Sequence, residues 1–131
     1  IRWWPDAPEH PAERAFLEDV EALASYLNET CFTGIQRWEF MYAVYPPGAH
    51  YERHVDDFKN KNARKFSIVT YLNEAWQPGQ GGELVLYDVA GKPSETVDPL
   101  FGRTVIFSSP QVEHEVLPAL ADRRSVTGWL R

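Results

Sequence analysis

The apolar positions along this chain change their period once. Phe16, Leu17, Val20, Leu23, Ala24 and Leu27 recur at helical spacing and mark a single stripe. Pro11 suits the first turn of such a helix, where a missing N–H is no loss, and Glu13 complements the positive end of its dipole. The pattern predicts a helix over about 11–30, closed by Thr33 and Gly34, with its apolar stripe buttressing a sheet. From position 37 onward the period becomes two, and aromatic and β-branched residues dominate. Short strands are expected at 37–45, 51–54, 65–72, 83–87, 95–97, 104–107, 114–117 and 125–131, with turns rich in Gly and Pro between them. The first 11 residues carry two tryptophans and three prolines and read as an extended lead-in. One helix followed by about eight short strands predicts a mainly β fold, an antiparallel sandwich or barrel whose natural form at this size is a jelly roll.

At 131 residues the chain suits one domain, 1–131, with no internal repeat or boundary visible. Its 44% hydrophobic and 14% aromatic content belongs to a globular protein rather than a disordered one. Acidic residues outnumber basic ones by 19 to 13, which argues against a nucleic-acid partner. No apolar run approaches the roughly 18 residues needed to cross a membrane, so no membrane association is expected. Cys31 is the single cysteine; it excludes an internal disulfide and points to a reducing, cytoplasmic setting. The chain opens at Ile1 with no methionine, and a preceding N-terminal segment is expected. One run departs from the acidic balance: 57–65 (DFKNKNARK) carries four basic residues, as a solvated loop or as a guide for an acidic peptide.

The stretch that carries chemistry is His54-Val55-Asp56. On a strand His54 and Asp56 share a face while Val55 turns away, so the two can grip one ion, and parity prefers Asp56 to its neighbour Asp57. His114, within Val112-Glu113-His114-Glu115-Val116, is the candidate third ligand. Two histidines and a carboxylate form the facial triad of non-haem Fe(II) oxygenases, which leaves positions on the metal open. A histidine without such company is expected to be a hydrogen-bonded bystander, as for His10 and His50. Nine residues beyond His114, Arg123 begins a second alternation with Ser125, Thr127 and Trp129. If this is a strand, the four share one face. An arginine with hydroxyls on a pocket wall suits a dicarboxylate, because a guanidinium takes a carboxylate through two parallel bonds and Thr127 can add another. The alternative is an exposed Arg123-Arg124 pair on an edge strand.

Four stretches, YPPGAHYERHVD, IVTYLNEAW, GGELVLY and HEVLPALADRRSVTGW, follow one another between Tyr45 and Trp129. In this order and spacing the chain resembles the 2-oxoglutarate/Fe(II) dioxygenases, and within them the prolyl 4-hydroxylase branch related to oxygen-sensing enzymes. The resemblance implies a double-stranded β-helix with Fe(II) held by His54, Asp56 and His114. It makes Arg123, rather than Arg124, the anchor for the distal carboxylate of 2-oxoglutarate, assisted by Tyr71 and Thr127. It places Tyr45 at the end of 2-oxoglutarate bound at iron and Trp129 on the pocket wall beside the metal. It further implies that O₂-driven decarboxylation of 2-oxoglutarate is coupled to hydroxylation of a substrate C–H bond, with ascorbate as a stimulant. The carboxylate at Asp56 points to hydroxylation rather than halogenation. A prolyl residue in a protein or peptide is the expected substrate. The alternatives are hydroxylation of a free amino acid or other small molecule, and a metal-binding β-barrel sensor without turnover.

Overall fold

The computed structural model describes residues 1–56 and 64–131. Of the basic run expected at 57–65, only Arg64 and Lys65 fall among the described residues, and Asp57 lies outside them. The elements run β1 (Arg2–Trp3), α1 (Pro11–Cys31), β2 (Trp38–Tyr45), β3 (Tyr51–His54), β4 (Phe66–Tyr71), β5 (Leu84–Tyr87), β6 (Pro93–Val97), β7 (Thr104–Ser108), β8 (His114–Val116) and β9 (Arg123–Leu130).

Helix α1 starts where its sequence says it should. The ring of His10 accepts a bond from the Ala12 amide at 3.1 Å, so a histidine expected to be a bystander serves as the N-cap. The helix ends at Phe32, which adopts the left-handed conformation with φ 54°.

Two antiparallel sheets face each other in the mainly β, double-stranded β-helix arrangement. The larger has the order β1-β2-β9-β4-β7, the smaller β3-β8-β5-β6. A single parity rule organises the larger sheet. Even-numbered Phe40, Ile68, Val126 and Leu130 pack toward Val20 and Ala24 of α1, which confirms the buttress. Odd-numbered Met41, Ala43, Val69, Ser125 and Thr127 turn the other way and line the space between the sheets. There they meet Leu84, Val116 and Phe107.

Two departures from expectation bear on the space between the sheets, beyond shifts of one or two residues at other strand ends. β9 begins at Arg123, which brings that arginine onto the strand and onto the inward face. The lead-in also forms a strand, β1, with Arg2 opposite Tyr42 and Trp3 opposite Met41. Two residues are too few to show a period, so this strand has no signature in the sequence.

Candidate metal centre

His54 and His114 meet across the β3–β8 pairing, in register with one another. Tyr51 pairs with Val116 three residues before His54 pairs with His114, so β3 holds one residue more than β8 over this span. That bulge turns both Tyr51 and His54 toward the inter-sheet space. Asp56 corrects the strand argument in one respect. β3 stops at His54, and Asp56 sits in the turn that follows, so it is the turn and not the strand pleat that brings it beside His54. The ligand atoms of His54, Asp56 and His114 all lie within 4.8 Å of one another.

Hydrogen bonds fix how these groups point. Nδ1 of His54 lies 2.7 Å from the Glu52 carbonyl, and Nδ1 of His114 lies 3.0 Å from the Val112 carbonyl. A carbonyl only accepts, so each Nδ1 carries the proton and each Nε2 presents a lone pair. Those two nitrogens stand 3.0 and 3.3 Å from Asp56 Oδ1. Three acceptors thus converge with no donor of their own, a set that a cation completes and that fits Fe(II). The ionisation of the groups reflects the same demand. Burial acts to raise the Asp56 carboxyl, but the imidazoles of His114 and His54 and the Ser67 hydroxyl outweigh it and hold the group well below the usual carboxylate range. Each imidazole is a donor to Oδ1 only in the form whose Nε2 holds a proton in place of an ion. Burial acts to lower His54, and the Asp56 carboxylate with the Glu52 carbonyl outweighs it, so His54 titrates above its ordinary value.

From this cluster a cavity of about 220 Å³ reaches along the inner face of the larger sheet, lined by Tyr45, Ser125, Thr127 and Trp129 and ending at Arg123. Arg123 is 3% exposed. Its Nε donates to the Gly82 carbonyl at 2.7 Å and an Nη2 donates to the Tyr71 hydroxyl at 3.4 Å, but it forms no ion pair among the described residues. Burial lowers its pKa, as expected for a cation taken out of water without a counter-charge. A guanidinium in that position calls for an anion in the cavity. Arg124 is different: its side chain is 55% exposed and pairs with Asp122 at 3.1 Å, so the pair of arginines divides between inside and outside. Tyr71 is fully buried behind Arg123, and burial raises the pKa of both Tyr71 and Tyr45.

Three residues here had no functional reading in the sequence. Ser67, buried on β4, donates to Asp56 Oδ2 at 2.6 Å and lies 2.8 Å from the Ser109 hydroxyl. Its signal was its parity with Val69 and Tyr71, a polar residue on an inward face. Gly82 sits at φ +71°, and a Cβ there would fall 3.1 Å from the Arg123 side chain and 3.2 Å from Trp76 and Ala119. The glycine lets the backbone come close enough for its carbonyl to hold the guanidinium.

Residues 40–131 match the model of the 2OG-Fe(II) oxygenase superfamily. The chain is 41% identical to a prolyl-4-hydroxylase from Pseudomonas putida and superposes on its crystal structure with a TM-score of 0.93, covering 98% of this chain and 71% of that one. A prolyl hydroxylase from Trichoplax adhaerens, solved in complex with a hypoxia inducible factor oxygen degradation domain peptide fragment, matches at 30% identity and TM-score 0.82, covering 99% of this chain and 63% of that one. The hypoxia-inducible factor prolyl hydroxylase of Caenorhabditis elegans is 36% identical over 92 residues, which are 68% of this chain and 13% of that relative's length. With its two facing sheets and its His-Asp-His cluster, the chain belongs to the 2OG-Fe(II) oxygenase superfamily and is prolyl 4-hydroxylase-like.

Proposed function

We propose that residues 1–131 act as one 2-oxoglutarate- and Fe(II)-dependent oxygenase domain that hydroxylates a prolyl residue in a protein or peptide. The observation that carries this reading is one cavity with a buried guanidinium lacking a counter-charge at one end and three converging acceptors at the other.

His54, Asp56 and His114 would hold the iron. Fe(II) bound there supplies the oxidative chemistry that couples decarboxylation of 2-oxoglutarate to hydroxylation of a C–H bond. Arg123 takes the distal carboxylate through its remaining N–H groups. The Tyr71 hydroxyl, which accepts from Arg123, keeps its own proton to donate to that carboxylate. Thr127 and Ser125 offer hydroxyls along the cavity wall, and Trp129 flanks the metal end through its bond to Asp56. Tyr45, expected at that end, lies opposite Arg123 on the neighbouring strand with its ring centre 5.3 Å from the guanidinium. Met41, Ala43, Val69, Leu84 and Phe107 exclude water from the rest of the chamber. The peptide substrate class is supported by the prolyl-4-hydroxylase likeness and by the peptide held by the Trichoplax relative. Ascorbate is expected to stimulate turnover as an accessory reductant. A cytoplasmic setting suits the single, free and exposed thiol of Cys31; no helix among the described residues is long and apolar enough to cross a membrane.

Fe(II) and then 2-oxoglutarate, added without oxygen, should produce a visible metal-to-ligand charge-transfer band. Oxygen is then admitted with proline-containing peptides or with free proline, and succinate and hydroxyproline are measured. Hydroxylated peptide with inert free proline supports the proposal. Hydroxylated free proline would move the substrate to small molecules. Tight metal binding with neither band nor succinate would leave a metal-binding barrel.

A further inference from the structure

Asp56 has two carboxylate oxygens, and the fold treats them differently. Oδ1 alone faces the Nε2 atoms of His54 and His114, at 3.0 and 3.3 Å. Oδ2 accepts from Ser67 Oγ at 2.6 Å and from Trp129 Nε1 at 3.0 Å. We propose that Trp129 and the Ser67–Ser109 pair are positioning residues that make Asp56 a one-oxygen metal ligand. The inference rests on the metal reading of the triad.

The serine pair works in one direction only. Ser67 has a single hydroxyl proton, and a carboxylate can only accept, so that proton goes to Asp56. Ser109 must then be the donor across the 2.8 Å between the two hydroxyls. Both serines are buried, at 1% and 0% exposure. Polar groups in a core add nothing to packing that alanine would not, and they are tolerated when each bond is made. Here the bonds end at the metal carboxylate.

Trp129 is held in the orientation its bond needs. The Arg64 guanidinium lies 3.9 Å from the indole ring centre, and Trp3 packs at 6.0 Å between ring centres. Arg64 is tethered by Glu39 at 3.0 Å, and Glu39 stands opposite Trp129 in the β2–β9 register. A ring that merely walled the cavity would need no N–H and no such clamp. With Oδ2 committed, the carboxylate cannot close on an ion with both oxygens. The coordination position a second oxygen would take stays free for 2-oxoglutarate or O₂.

The test compares the wild type with Trp129→Phe, Ser67→Ala and Ser109→Ala. Mn(II) alone is titrated into each protein and followed by electron paramagnetic resonance. Thermal unfolding of the metal-free proteins identifies the variants that fold. Trp129→Phe and Ser67→Ala should weaken Mn(II) binding by roughly 10–100-fold, the usual effect of losing an outer partner of a metal ligand. Ser109→Ala should weaken it less, and the visible spectrum of the Co(II)-loaded protein should shift in Trp129→Phe. Folded variants that bind Mn(II) as the wild type does, with unchanged Co(II) spectra, overturn the positioning role. If Trp129→Phe does not fold, the two serine variants decide alone. A wild type that binds no Mn(II) overturns the metal site, and the inference with it.

Discussion

Arg123 and His54 carry different charges at the two ends of one cavity, so single substitutions separate their tasks. Arg123→Gln keeps a polar but shorter side chain and removes the buried charge. The loss of one partner from a buried, hydrogen-bonded charge pair is worth about 2–5 kcal/mol, so 2-oxoglutarate affinity should fall by well over tenfold while Mn(II) affinity holds. The exposed Arg124→Gln should change neither, and an anaerobic titration reads both quantities. For His54 the lever is pH. Its pKa is raised above 6.5, so in the metal-free protein protons compete with the ion at a pH where free imidazole would already have released them. Apparent Mn(II) affinity should therefore decline as pH falls through that raised value and level off above it. The linkage in the metal-free fold runs the opposite way. The proton on His54 stabilises the fold below the unfolded value of 6.5, and that contribution is lost as pH rises through the folded one. The cluster itself was legible because histidines, acids and arginines are scarce on inward-facing positions. Ser67, Ser109 and Gly82 were not, since serine and glycine occur everywhere and only the three-dimensional neighbourhood distinguishes these. Asp56 was singled out by a parity argument, although it is a turn and not the strand pleat that sets it beside His54 and His114.

At the scale of elements, the inward and outward faces of β2, β4 and β9 followed from alternation, and α1 from its stripe and its first turn. What alternation could not show was how closely the strands pack. Gly128 on β9 sits against β2, and a Cβ there would lie 2.1 Å from a Phe40 ring carbon and 2.5 Å from the Glu39 carbonyl. Both atoms belong to the core of the pairing and cannot swing away. Gly128→Ala should destabilise the fold by about 1–3 kcal/mol or more, seen as a lower urea midpoint. The contact between α1 and β2 offers a test with a different signature. The Tyr42 hydroxyl donates to Glu13 at 2.9 Å, and its pKa is pushed up to about 12, first by burial and then by that bond. A folded value above the unfolded 10.0 gives a contribution that is complete below pH 10 and lost between there and about 12. Tyr42→Phe should therefore unfold with a flatter dependence on pH across that alkaline range than the wild type.

For the whole molecule, the switch from helical to alternating period was enough to read one helix on a sandwich of strands. The order of the strands was not readable. β9, last in the chain, lies between β2 and β4, and pairings so distant leave no local pattern. That order matters for the ligands, because it makes the site a joint between sheets. His54 and His114 come from the smaller sheet, while Asp56 is tied to the larger through Ser67 and Trp129, and Arg123 stands on β9. An ion held by all three triad residues therefore connects the two sheets, and a dicarboxylate reaching Arg123 extends the connection along β9. Each ligand at a hundredfold excess over its Kd should add about 2.7 kcal/mol, a rise of roughly 5–15 °C in unfolding temperature. The order of addition discriminates. Mn(II) alone should raise the midpoint and slow amide exchange in β3 and β8, and a chelator should reverse both. With Mn(II) already bound, 2-oxoglutarate should raise the midpoint again and slow exchange in β4 and β9, whereas without metal it should do little. A full rise with 2-oxoglutarate in the absence of any metal would mean that Arg123 alone anchors the dicarboxylate and that the two ends of the cavity act independently.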